Sequence, residues 1–363
     1  MAAPAGTTNE QPPRPAFVSL GMVVLDELRA PGRSPLYDVL GGSGAFSVLG
    51  ARLAAGRARA GEVGCFILAG NDFPDGAVDR FRSWGVNLVI KVDPTRRSTR
   101  GLLEYKDSVF SSKTFRYTTT PLRPSPKDLP SHFLAAGAFH LLASPSEVEA
   151  QVTQLLSLRS DTSIVGDPLL IWEPAPLSCN RDAKEEHLAA AKLVDVFSPN
   201  HLELLALFQD ITQGEQASPF HTRLIEACAD AFLDSGVGPS GAGTVVIRAG
   251  GHGCLVASTA IKGRHQWLPP FYGDASAIVD ATGAGNTFLG ALTFAMGACG
   301  KDALEGAAMA NVAASFVVEQ IGCPELRQVQ GGEECWNNSA FLESDDPDLF
   351  LQVLGPEEST DEN

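Results

Sequence analysis

The stretch Val279–Phe288, VDATGAGNTF, sets Gly283 and Gly285 directly before a run of helix-forming residues. A helix that starts there turns the backbone N–H groups of Ala284, Gly285 and Asn286 outward, where unpaired donors and the helix dipole both attract an anion. No Lys-Ser or Lys-Thr follows the glycines, so this is not a P-loop. It lies late in the chain and no acidic residue closes a matching second strand nearby, which leaves a dehydrogenase a distant alternative. By itself a glycine turn before a helix is more often a plain cap. A second stretch gives it company: in SPNHLELL, Asn200 and Glu203 fall on one face at the start of a helix. They could orient water and magnesium beside transferring phosphates, or simply form an N-cap and its partner in a capping box. Both readings stay open on spacing alone.

Such residues need a scaffold, and strand-like and helix-like runs alternate along the chain. AFVSLGMVVLDEL, CFILAG, VNLVIKV, AFHLLA, SIVGDPLL, LVDVFSPN and TVVIRAGGHGCLVA read as apolar strands separated by helical stretches, the pattern of β-α-β units around a buried parallel sheet. Residues 99–119 break the pattern: they alternate, favour β-formers and have no helix between their strands, which predicts a small antiparallel excursion. Two C-terminal runs, NTFLGALTFAMGAC and DALEGAAMANVAASFVVEQIG, predict helices dense in small residues that pack closely.

Composition narrows the class. The 363 residues, 44% hydrophobic, can bury a large core in one α/β domain or two smaller units. No apolar run reaches the roughly 20 residues of a membrane helix, and the start lacks a signal core, so a cytoplasmic location is expected. The seven cysteines are scattered without a C-x-x-C pair, which favours reduced thiols. The formal charge of −16 argues against partners that bind through basic patches, nucleic acid and anionic membranes. The expected division is a disordered leader at 1–15, one domain at 16–330 and an acidic tail at 331–363, in which LFLQVL could dock on the body.

Taken in order, GMVVLD, GGSG, GNDFPDG, SPNHLE, VVIRAGGHG and VDATGAGNTF resemble the motifs of the PfkB, or ribokinase-like, family of carbohydrate and nucleoside kinases, over about Phe17 to Cys323. A narrower resemblance is to fungal PfkB-like proteins of the maintenance-of-killer type. The family resemblance implies a three-layer α/β/α doubly wound, mostly parallel sheet with a small β-sheet lid from about 28–40 and 88–119. It implies transfer of the γ-phosphoryl group of ATP to an alcohol group of a sugar-like substrate, with Mg2+. Asp26, Gly41, Gly42 and Phe46 would face that substrate, and Asn200, Glu203, Arg248, Gly250, Gly253 and Asn311 the nucleotide. Glu203 would hold magnesium through water and Asp280 a monovalent ion such as K+. Gly283, Ala284 and Gly285 would form the anion hole, and a homodimer through the lid is a further expectation of the family.

Three positions depart from the family pattern. The signature ends in Asn286 where the family has the acid that removes the hydroxyl proton, and an amide cannot take that proton at neutral pH. Such a base is worth roughly 100- to 10,000-fold, yet phosphoryl transfer rests mostly on positioning and electrostatics. A slow kinase and a catalytically impaired nucleotide binder, serving as regulator or scaffold, are therefore both kept. Phe46 replaces a polar residue and either stacks on substrate or packs in the core. Arg248 replaces a Thr and either adds charge beside ATP or points away. Arg97 and Arg100, at the lid edge, are either phosphate ligands or solvated charges.

Overall fold

In the computed structural model, which describes residues 14–107, 113–208, 220–328, 334–337 and 339–340, the apolar runs form a nine-stranded sheet in the order β13-β12-β11-β10-β9-β8-β1-β4-β5. Its strands are β1 (Phe17–Ser19), β4 (Val63–Gly70), β5 (Asn87–Asp93), β8 (Ala138–Ala143), β9 (Leu169–Pro174), β10 (Val196–Phe197), β11 (Thr244–Arg248), β12 (Cys254–Ser258) and β13 (His265–Leu268). From β5 to β11 every pairing is parallel, and β12 and β13 join antiparallel at one edge. Continuous apolar runs such as AFHLLA suit strands covered on both faces.

Helices α1 (Gly42–Ala55), α2 (Asp75–Ser83), α8 (Ala284–Cys299) and α9 (Ala303–Val318) cover one face, with Phe46, Leu49, Phe81 and Phe294 in their core. Helices α3 (Ser131–Leu134), α4 (Pro145–Asp161), α5 (Lys184–Ala191), α6 (His201–Ala206) and α7 (Thr222–Ser235) cover the other, around Phe139, Trp172, Phe197 and Phe232. One contact on the first face sets the site. A Cβ on Gly50 would overlap the Thr287 carbonyl oxygen, and one on Gly290 would overlap that of Ser47, so α1 and α8 meet backbone to backbone. This close approach brings Phe46 to the start of α8.

The lid is a four-stranded sheet, β3-β2-β6-β7, built from β2 (Val24–Arg29), β3 (Leu36–Gly41), β6 (Arg100–Tyr105) and β7 (Lys113–Tyr117). Its hairpins are antiparallel while β2 and β6 run parallel. The expected lid boundary at 88 is corrected: VNLVIKV is a parallel partner of β4 and belongs to the large sheet. Arg97 and Arg100 each lie 3.0 Å from Asp72, and Arg100 is 2.6 Å from Asp38, so these arginines brace the lid root instead of standing free.

Two other expectations shift. The strand expected at SIVGDPLL is displaced to LLIWEP, because Ser163 and Gly166 take positive φ in a turn and Val165 is exposed. The body also runs past 330: β14 (Leu326–Gln328), β15 (Glu334–Trp336) and β16 (Ser339–Ala340) form a third sheet, where Trp336 is buried and Glu334 pairs with buried Arg52 at 2.5 Å. Residues 1–13 and 341–363, including LFLQVL, lie outside the described residues. All seven cysteines are free thiols, and among the described residues no helix is long and apolar enough to cross a membrane.

Candidate active site

Helix α8 begins at Ala284, with Gly283 as a left-handed N-cap (φ 85°). Asn286 therefore lies in the first turn; of the three N–H groups expected to point outward, that of Ala284 instead donates to the Ala281 carbonyl at 3.3 Å. The Phe46 ring packs flat against Gly283, where a Cβ would overlap it, and is buried in the core of that face. Gly285 faces Arg248, whose Nη1 would collide with any Cβ there. Arg248, at the end of β11, points into the site. Its Nη1 is 2.9 Å from Glu173 Oε1, and its Nη2 donates to the Ser198 carbonyl at 3.0 Å and lies 3.6 Å from Glu203 Oε2. A guanidinium at the positive end of a helix calls for an anion, and Glu173 supplies one.

Glu173, at the end of β9, also accepts a hydrogen bond from Asn286 Nδ2 at 2.5 Å. A carboxylate only accepts, so the amide must present its N–H to Glu173 and turn Oδ1 elsewhere. Behind Glu173 is fully buried His140, with Nε2 3.3 Å from Glu173 Oε2 and Nδ1 3.0 Å from both Ser19 Oγ and Ser47 Oγ. Ser47 donates to the Ser43 carbonyl at 2.6 Å, and Gly21 N–H donates to Ser19 Oγ at 3.0 Å. Burial pushes the Glu173 carboxyl up, but Arg248 and His140 outweigh it and hold it below the usual carboxylate range. Glu203 ends higher: burial pushes it up to about 7, with Arg248 opposing and Glu173 reinforcing.

The capping box forms: Asn200 Oδ1 accepts from Glu203 N–H at 2.8 Å, and Glu203 Oε2 accepts from Asn200 N–H at 2.7 Å. Capping does not remove the pair from the site, because both line a cleft of about 470 Å³ together with Glu173, Arg248, Asn286 and Asn311. Gly250, Gly253, Ala284 and Gly285 line the same cleft. Asn311 is buried and donates to the Pro269 carbonyl at 3.1 Å, which fixes the cleft wall.

On the lid side, Asp26 of β2 is buried between strands that offer it no bulk. A Cβ on Gly41 would overlap its Oδ2 and one on Gly101 its Oδ1, and among the described residues Oδ1 has no hydrogen-bond partner. Burial pushes this carboxyl up to about 7, with Lys113 opposing. Gly42, at φ 84°, makes the turn from β3 into α1 and abuts the Met22 carbonyl.

Asp280 is the opposite case. Its Oδ1 accepts from Thr282 N–H at 3.0 Å and Thr282 Oγ1 at 2.6 Å and lies 3.2 Å from Lys113 Nζ, while its Oδ2 accepts from Tyr105 O–H at 2.7 Å. Lys113 also contacts Thr282 Oγ1. Burial raises the Asp280 carboxyl, but these partners prevail and leave it below its ordinary value. Two lid strands thus hold the first acid of the signature. Glu173, His140, Tyr105 and Lys113 were not singled out in the sequence; the EP pair closing LLIWEP was the one available signal for Glu173.

The description "pfkB family carbohydrate kinase" matches residues 39–328. Protein MAK32 of Saccharomyces cerevisiae is 28% identical over 340 residues, covering 90% of each chain. Among solved structures, ribokinase from Giardia lamblia superposes with a TM-score of 0.64 at 18% identity, covering 85% of this chain and 94% of that one. Anopheles gambiae adenosine kinase, in complex with P1,P4-di(adenosine-5) tetraphosphate, gives 0.64 at 16% identity over 85% and 96%.

Proposed function

Since the chain belongs to the pfkB family of carbohydrate kinases, we propose that it is an ATP-dependent phosphotransferase acting on an alcohol group of a sugar-like or nucleoside-like substrate. The observation that carries this reading is Asp26: a buried carboxylate with an unfilled acceptor, framed by glycines, is costly unless a ligand brings a donor to it. A substrate hydroxyl is such a donor. The cleft at the start of α8 supplies the other half, with backbone N–H groups and the Arg248 guanidinium for phosphate oxygens. Phosphate arriving there competes with Glu173 for Arg248. Asn286 Oδ1, turned away from Glu173, is an acceptor that can align the attacking hydroxyl.

Magnesium suits these residues as a water-rich ion on the phosphates, reached by Glu203 through water. Glu203 is fixed at the cleft, and among the described residues no three acidic, His or Cys side chains gather around a bare ion. Bound there, it supplies neutralisation of phosphate charge. Potassium does not suit Asp280, both of whose oxygens are already taken, one of them beside the Lys113 ammonium.

A second reading, a nucleotide-binding regulator without turnover, is favoured by Asn286 and by Arg248 resting against the nest. Incubation with ATP, magnesium and a panel of sugars, sugar phosphates and nucleosides separates the two. The phosphotransferase reading expects acceptor-dependent ADP and a phosphorylated product. An ATP-dependent rise in melting temperature without product from any acceptor supports the regulator.

A further inference from the structure

The acid missing from position 286 has a neighbour that qualifies for its work. Glu173 lies one 2.5 Å hydrogen bond from Asn286, lines the same cleft, and comes from a different element, the end of β9. Resting on the phosphotransferase reading, we propose that Glu173 is the proton acceptor of this site.

The chemistry balances. A bond forms between the acceptor oxygen and the γ-phosphorus, and the bond from that phosphorus to the bridging oxygen breaks, its electron pair leaving with ADP. The hydroxyl proton passes to the Glu173 carboxylate, which becomes a neutral acid. Three features of the site support the assignment. Glu173 Oε1 is occupied at rest by Arg248, a cation that phosphate oxygens attract, so nucleotide engagement draws the guanidinium off and raises the basicity of the carboxylate. Asn286 holds Oε2 and keeps the carboxylate at the first turn of α8, beside the anion-binding N–H groups. Finally, Glu173 contacts His140, which contacts Ser19 and Ser47, a buried polar chain leading away from the cleft. Placing a second carboxylate at 286 would put two like charges in contact, where one must keep a proton. A carboxylate at 173 therefore accounts for an amide at 286.

The test compares wild type with Glu173→Gln, Asn286→Asp and the double variant Glu173→Gln/Asn286→Asp, reading acceptor-dependent ADP formation at saturating ATP and magnesium. Glu173→Gln is expected to lower kcat roughly 100- to 10,000-fold, the usual worth of general-base catalysis, with ATP affinity changed less. Asn286→Asp alone gains nothing, and the double variant recovers at least tenfold over Glu173→Gln. The acid limb of the kcat pH profile disappears in Glu173→Gln and returns in the double variant. Glu173→Asp guards against misfolding: it keeps the charge, and its residual rate should exceed that of Glu173→Gln at matched melting temperature.

Wild-type activity in Glu173→Gln overturns the proposal while leaving the phosphotransferase reading intact, as does turnover by Asn286→Asp where wild type is silent. Loss in Glu173→Gln that excess magnesium restores also overturns it, making the residue a metal ligand. Silence of all four proteins overturns both the proposal and the reading beneath it.

Discussion

Two buried carboxylates, Asp26 on the lid strand β2 and Glu173 in the cleft at the start of α8, are solved in opposite ways. Asp26 stands between two glycines with Oδ1 unpartnered among the described residues and its carboxyl pushed up to about 7 by burial. Glu173 is as deeply enclosed, yet Arg248, Asn286 and His140 share its two oxygens, and it is held below the usual range despite burial. An uncompensated acid costs stability and waits for a ligand; a compensated one is part of an assembled device. On the proposed function, the difference separates the side offered to a substrate hydroxyl from the side offered to phosphate.

The comparison is broken most forcefully through stability. Between about pH 4 and 7 the unfolded chain has released the Asp26 proton while the folded chain keeps it, so stability falls as pH rises through that window. The full shift is worth on the order of 4 kcal/mol. Glu203, also raised to about 7, adds a slope of the same sign. Asp26→Asn should flatten its share and melt higher than wild type at pH 8, as urea unfolding across pH would register; an unchanged slope would mean Asp26 has a partner.

On the assembled side, Gly285→Val should weaken ATP binding by tenfold or more, because the new side chain meets the Arg248 guanidinium and closes the nest. Calorimetric titration of ATP with magnesium reads this, and unchanged affinity would put phosphate elsewhere. Returning to Asp26, acceptor affinity should increase as pH rises through about 7, since hydroxyl donors favour the ionised form. In Asp26→Asn the acceptor KM should rise roughly 10- to 100-fold, the worth of hydrogen bonds to a charged group. The smallest effect concerns Asp280. Replacing potassium by choline should leave wild-type nucleotide binding unchanged, while Lys113→Met should acquire a few-fold dependence on potassium. A wild-type requirement for potassium would show that Lys113 yields the place.

One side of this contrast can be read from the chain, the other cannot. Asp26, Asn200, Glu203, Asp280 and the 283–286 turn sit in contiguous motifs whose geometry is local, so strand ends and helix starts fix them. The two α/β faces follow from the apolar runs and strands β6 and β7 of the lid from one alternating segment, whereas β2 and β3 joined the lid only through the family resemblance. Glu173 is hidden in the sequence because the apolar residues at the head of SIVGDPLL point to an earlier strand, whereas a turn at Ser163 and Gly166 removes them and the strand runs on to the Glu. Arg248 had two readings because the turn after β11 does not by itself aim a long side chain; Glu173, over 70 residues earlier, does. Lys113 and Tyr105 reach Asp280 only because the lid folds over the signature, a contact made by topology alone. The strands at 334–336 and 339–340 escape a reading by composition, because an acidic segment conceals one buried tryptophan and one ion pair.

The most direct measurement is phosphoryl transfer from ATP to the acceptor panel by wild type, run beside Asp26→Asn and Glu173→Gln. A phosphorylated product from wild type, reduced in Asp26→Asn through KM and in Glu173→Gln through kcat, is the predicted result. Equal product from all three proteins, or none from wild type with any acceptor, would contradict the account.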